Sequence, residues 1–289
     1  MGWTTLRAFG TLLMEKRGRL FFLYRGTALP LEKPALLGAK HWVKGAKRSL
    51  RRPLLSFLDR PAFTCPICLY TGKFLDKKRT HGTRRNAVCP RCGSLERQRL
   101  QVCVLDEIFS NYSGSGKAAL HIAPEAVIRA ILSKRFSRYT SADLDPRRAD
   151  VQADLRDLPF PTGSYDFVFA SHVLEHIDDD MRSLAEIARV LGPGGIAVLA
   201  VPILSARTIE YPYPVPTESH HVRAPGIDYF ERYGSVFSHV TIKSSADFPE
   251  AFQLYSYEDR SRYPTKACPF RVAVLGERHL GYVSICWKA

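Results

Sequence analysis

Four cysteines between residues 65 and 92 constrain this chain more than any other feature. They read Cys65-Pro-Ile-Cys68 and Cys89-Pro-Arg-Cys92, two Cys-X-X-Cys knuckles with twenty residues between them. A knuckle sets two thiolates on one tight turn, so a pair of knuckles can close a tetrahedron around zinc. Zinc closed by four sulfurs has no open position for water, so the Zn2+ expected at Cys65, Cys68, Cys89 and Cys92 is structural. The alternative is a disulfide pair or reduced surface thiols. Cys103, Cys268 and Cys286 are scattered without a pairing pattern, which fits a reducing compartment and gives the cytoplasm as the expected location.

The chain has 289 residues and a net charge of +14, and 45% of it is hydrophobic, enough for one large domain and a small one. The charge is uneven, with thirteen basic against three acidic residues in the first 60. Such an arm attracts polyanions: nucleic acid, anionic lipid or an acidic glycan. The alternative is a solubilising tail. No stretch is long and apolar enough to span a membrane. The apolar runs at 12–14 and 20–23 do not make a secretory signal, and a transit peptide remains open on composition. Mixed with bases, they could lie on the inner face of a bilayer as an interfacial helix.

Three segments are expected. Residues 1–60 are a basic arm, with a helix over 40–59 interrupted by Pro53. Residues 61–100 form the four-cysteine module, a small zinc ribbon or knuckle. Between its knuckles Lys73, Lys77, Lys78, Arg79, Arg84 and Arg85 make a second basic surface. A helix is expected to begin after Gly93, with Ser94 as N-cap and Glu96 in its first turn. Residues 101–289 make the third segment. From Ala118 short apolar strands alternate with helices: strands over 118–123, 139–143, 151–153, 165–170 and 196–201, and helices over 126–136 and 181–191. Segments 240–242, 272–275 and 282–286 read as closing strands. This pattern predicts an α/β, Rossmann-like, doubly wound and mostly parallel sheet with helices on both faces.

In such a sheet the carboxyl ends of the strands line one crevice. Asp143 ends the second strand, where a carboxylate can accept both hydroxyls of a ribose. Asp154 follows the third, where it can accept the exocyclic amine of adenine. Either acid alone could equally cap a helix or sit in a solvated turn.

Three ordered motifs carry a resemblance. They are the run from Asp154 to Val168, then Ser171-His-Val-Leu-Glu-His-Ile177, then Ala185-Glu-Ile-Ala-Arg-Val-Leu-Gly-Pro-Gly-Gly195. Together they closely resemble the class I S-adenosylmethionine-dependent methyltransferases of the type 11-like group, well over residues 118–203 and loosely in the tail. With the knuckles, they look like a subgroup that joins a four-cysteine module to this fold and whose members are often bacterial and associated with surface-polysaccharide loci.

The resemblance implies S-adenosyl-L-methionine as cofactor and a role for each matching residue. Asp143 would hold the ribose, Asp154 and the Leu155 backbone would frame the adenine, and Ser171 and His172 would flank the methionine part. One departure is sharp: the first loop reads His121-Ile-Ala-Pro-Glu125, with no glycine. Glycine there permits close backbone approach to the cofactor. Ala123 is small enough to substitute in part, and Glu125 could receive the ammonium group. His121, Ala123 and Glu125 are therefore assigned to the cofactor through a rebuilt loop, with loss of methyl transfer as the alternative.

His172 and His176 have metal-binding spacing, although the family context makes His176 a capping or packing residue. The irregular segment 211–216 is expected to arch over the pocket as a lid. After it, His221 is a candidate general base and Arg223 a clamp for carboxylate or phosphate. The expected activity is methyl transfer to an oxygen or nitrogen of an anionic acceptor. That acceptor is a glycan or lipid-linked sugar at the membrane, or RNA read by the arm and zinc module. A non-catalytic binding protein on a degenerate fold is the rival.

Overall fold

The computed structural model gives the backbone of residues 4–8, 11–16, 19–24 and 27–30, and describes residues 61–79 and 82–289 in full. The four N-terminal segments are antiparallel strands paired in sequence order. The apolar runs at 12–14 and 20–23 thus lie in strands, which corrects the interfacial-helix expectation. The helix expected over 40–59 lies outside the described residues.

A seven-stranded sheet organises the rest. Its strands are β1 (Ala118–Ile122), β2 (Arg138–Asp143), β3 (Val151–Gln152), β4 (Tyr165–Ser171), β5 (Leu191–Ala200), β6 (His239–Ser244) and β7 (Tyr282–Trp287). Their order is β3-β2-β1-β4-β5-β7-β6. The first five run parallel, while β7 is antiparallel to both of its neighbours. The chain leaves β1 toward one edge and returns at β4 toward the other, so the switch point opens between β1 and β4. The expected Rossmann-like sheet is therefore present. The segment 272–275 is not a strand; Leu275 is 87% exposed in a loop.

The pleat of β4 explains the two-sided core. Phe167 and Phe169 join one buried cluster, with Leu105 and Phe109 of helix α1 (Glu96–Asn111) and Ile128 and Leu132 of α2 (Ala126–Arg135). Val168 and Ala170 face the other, with Leu184 and Ile187 of α3 (Asp180–Val190) and Tyr233 of α4 (Phe230–Gly234). Side chains alternate faces every residue, so a strand buried on both sides is largely apolar. Asp179 caps α3 by accepting the Arg182 N–H at 3.0 Å. Ser94 does not cap α1. Gln98 Oε1 accepts the Leu95 N–H at 3.0 Å, and Ser94 Oγ lies 3.1 Å from Cys92 Sγ.

The four-cysteine segment is built into this frame. Its hairpin, Leu75–Arg79 with Gly82–Val88, is extended by the tail strands Ser256–Tyr257 and Arg278–His279 into one four-stranded sheet. Arg99 of α1 is fully buried and locks the joint. Its guanidinium donates to the carbonyls of Ala87, Ser94, Phe252 and Gln253 and lies over Phe74 at 4.6 Å. A buried guanidinium is tolerated because carbonyls take its donors. Among the described residues no helix is long and apolar enough to cross a membrane.

Candidate active site

A cavity of about 700 Å³ opens at the carboxyl edge of the sheet. Its floor is formed by Ile122 of β1 and Ala123 after it, Asp143 of β2, Leu155 after β3, Ser171 of β4 and His172 after it, and Val201 after β5. The four-cysteine hairpin contributes Arg79 and Arg84 to the wall, and the tail contributes Glu258 and Arg260.

Asp143 is where the sequence places it. Its Oδ1 accepts the Asp145 N–H at 2.9 Å, but its buried Oδ2 has no hydrogen-bond partner, and Arg148 stands off at 3.8 Å. A buried carboxylate oxygen left unpaired inside a cavity is a waiting acceptor. Ala123 sits at φ +48°, the left-handed conformation that favours glycine. The glycine-free loop therefore keeps a glycine-like turn on alanine, with the Ala123 N–H donating to Ala142 at 2.8 Å. Glu125 lines the cavity and is shared by Arg97 at 3.1 Å and Gln98 at 2.5 Å.

Two residues assigned to the cofactor lie elsewhere. His121 is 1% exposed, bonds the Tyr139 hydroxyl at 2.9 Å and packs edge-on against Phe169, so it is a core residue of the sheet. Burial pushes its pKa down to about 3. Asp154 does not line the cavity; its carboxylate is taken by Arg156, with Nη2 at 2.7 Å, while its neighbours Ala153 and Leu155 do line it.

Gln101 is a cavity residue that sequence reading missed. Its Nε2 donates to Ser171 Oγ at 2.6 Å and its buried Oε1 is unpartnered. The residue sits on α1, before the first strand of the sheet, where no motif marks it.

The far wall gathers His172, Glu175, His176 and His221. Glu175 is fully buried on the short turn Leu174–His176, and its Oε1 meets His172 Nδ1 at 3.0 Å. Burial opposes its charge, but the His172 contact holds its carboxyl below the usual range. The His176 and His221 rings meet edge to face at 4.7 Å. Burial pushes His221 down to about 4, so it is neutral at pH 7. The segment expected as an irregular lid is instead a ribbon, Ile209–Val215 paired with His221–Ala224.

Arg223 is not a clamp for substrate. It is 2% exposed and donates to the carbonyls of Leu174, Ile177 and Asp178 and to Glu210. With its donors spent on protein, it fixes the turn that carries Glu175 and His176 to the ribbon that carries His221.

The four cysteine sulfurs converge, with Cys65–Cys92 at 3.6 Å and Cys68–Cys89 at 3.5 Å. All seven cysteines are free of disulfides. The two knuckles share one geometry: the Leu69 N–H returns to Cys65 and the Gly93 N–H to Cys89, each at 2.9 Å.

Residues 113–199 match the family described as a methyltransferase domain, the stretch that runs from the approach to β1 through most of β5. Among curated relatives, the 27-O-demethylrifamycin SV methyltransferase of Amycolatopsis mediterranei is 31% identical over 98 residues, which is 31% of this chain and 36% of that protein. An uncharacterised 37.1 kDa protein of a transposon from Streptomyces fradiae is 42% identical over 59 residues, 20% of this chain and 17% of that protein. The chain thus spans about a third or less of these two relatives' length. Among solved structures, the [4+2]-cyclase SpnF superposes with a TM-score of 0.46 at 14% identity, covering 75% of this chain and 88% of that one. The geranyl diphosphate C-methyltransferase of Streptomyces coelicolor gives 0.45 at 14% identity, covering 66% and 81%.

Proposed function

We propose that the chain transfers a methyl group from S-adenosylmethionine to an oxygen or nitrogen of an anionic acceptor. The unpartnered Asp143 Oδ2 at the β2 end, inside a cavity at the switch point, carries this reading. Asp143 would take the ribose hydroxyls, Leu144 and Leu155 would offer apolar faces to the adenine, and Gln101 Oε1 and Glu125 would meet the ammonium group. The acceptor atom attacks the sulfonium methyl carbon in line. The carbon–sulfur bond breaks, its electron pair stays on sulfur to leave a neutral thioether, and the acceptor's proton leaves. Alignment of two bound reactants supplies most of the acceleration. The proton departs toward the histidine wall, where His221 is kept neutral by burial.

Arg79 and Arg262 line the cavity, which supports an acceptor bearing phosphate or carboxylate. A glycan phosphate or lipid-linked sugar and an RNA phosphate share this chemistry. Vesicle flotation that depends on residues 1–60 favours the first, and salt-dependent RNA retention favours the second. The four cysteines would hold structural zinc. A tetrahedron with about 2.3 Å zinc–sulfur bonds has edges of about 3.8 Å, close to the observed sulfur separations.

Ultraviolet crosslinking with methyl-labelled S-adenosylmethionine tests the reading. Label that S-adenosylhomocysteine competes away and Asp143→Asn loses is expected; no competed label on the wild-type chain overturns it.

A further inference from the structure

The far wall of the cavity carries a second group of converging ligand atoms. We infer that Glu175, His176 and His221 form a binding site for a divalent first-row transition ion, separate from the four-cysteine centre.

Three observations support this. One ligand atom from each of the three residues lies within 4.8 Å of the other two. A metal–nitrogen bond of about 2.1 Å gives donor–donor edges of about 3.0–4.2 Å, so small side-chain rotations would close the set. Second, Glu175 is fully buried, yet its Oε2 has no hydrogen-bond partner. An unpaired carboxylate oxygen in the interior is costly unless a cation or donor completes it. Third, His221 Nδ1 is also buried and unpartnered. The two residues with orphaned atoms come from separate elements, the Leu174–His176 turn and the His221–Ala224 ribbon.

The surroundings hold the set in place. His172 engages the other Glu175 oxygen at 3.0 Å, the kind of outer contact that orients a metal-ligating carboxylate. Arg223 ties the carbonyls of the turn to the ribbon, which makes it a positioning residue for both halves. Two imidazoles and one carboxylate suit iron, cobalt, nickel, manganese or zinc better than magnesium, and they leave coordination positions open toward the cavity.

Resting on the methyltransferase reading, the site would anchor an acceptor through a hydroxyl oxygen. A coordinated hydroxyl loses its proton to water more readily, and the alkoxide then attacks the methyl carbon. Simple proton uptake by His221 is thereby replaced by coordination.

Equilibrium dialysis of Co2+ against the full chain, with its cysteines already loaded with zinc, tests the site. One bound cobalt per chain is expected, with weak d–d absorption and no sulfur-to-cobalt charge-transfer band. Glu175→Gln and His221→Ala should each weaken binding at least tenfold while S-adenosylhomocysteine still binds. No bound cobalt on a wild-type chain that binds S-adenosylhomocysteine overturns the metal site alone. Cobalt binding undiminished in both variants overturns it as well. Cobalt bound as expected by a chain that does not bind S-adenosylhomocysteine keeps the site and overturns the methyltransferase reading.

Discussion

Single residues in this molecule divide by whether their polar atoms are satisfied. Arg223 and Asp154 have motif-like positions, but protein partners occupy their charges. Asp143 and Gln101 each keep a buried oxygen without a hydrogen bond in the cavity. Sequence order can place a residue at a strand end; it cannot say whether a neighbour will claim its charge. Arg156 lies two residues from Asp154 and takes it, while Arg148 stays 3.8 Å from Asp143. His121 shows the same limit, because its motif position suggests cofactor contact and its pleat side buries it. Its pKa falls to about 3, first through burial and then through Arg129. The unfolded chain binds that proton near pH 6.5, so stability contributed by the neutral ring is present above about 6.5 and lost as pH falls toward 3. Urea unfolding of the wild type between pH 6.5 and 4.5 should lose up to about 1.4 kcal/mol per pH unit more than His121→Gln. Equal losses in the two proteins would remove this account of His121.

At the scale of elements, the parallel strands are readable because burial on both faces favours mostly apolar runs, as in β1 and β4. The glycine-free loop was readable as an anomaly, and its resolution lies in the backbone: Ala123 accepts the positive φ itself. The segment 272–275 is as apolar as a strand, but the closing positions of the sheet are filled by β6 and β7. The ribbon carrying His221 is hidden because Tyr211-Pro-Tyr-Pro-Val-Pro216 breaks strand patterning, and of that run only Val215 pairs with the partner strand, opposite His221. The four-cysteine hairpin is the element with the longest reach. Its strand Gly82–Val88 pairs with the tail, and Arg99 links both. Zinc proposed at the cysteines would therefore be coupled to the cavity wall. A strong chelator is expected to lower the melting temperature of the full chain and, below that transition, to raise proteolysis within 61–95. If chelation changes neither, the cysteines do not hold a stabilising metal.

Over the whole molecule, the site is composite. The sheet supplies a floor, the cysteine hairpin and the tail supply a charged wall, and the ribbon and the turn at Leu174–His176 supply the histidines. Around the cavity, Arg84, Arg97, Arg260 and Arg271 pair with Glu96, Glu125, Glu258 and Glu218. What the fold keeps free of hydrogen bonds at the β2 end is a carboxylate oxygen, with Arg148 3.8 Å away. Calorimetric titration of S-adenosylhomocysteine into the full chain tests that most directly. The account predicts saturable one-to-one binding in the wild type, weakened roughly ten- to hundredfold in Asp143→Asn, the scale set by loss of a charge-assisted hydrogen bond worth about 1.5–3 kcal/mol. A wild-type chain that takes up no S-adenosylhomocysteine, or an Asp143→Asn chain that binds it equally well, would contradict it.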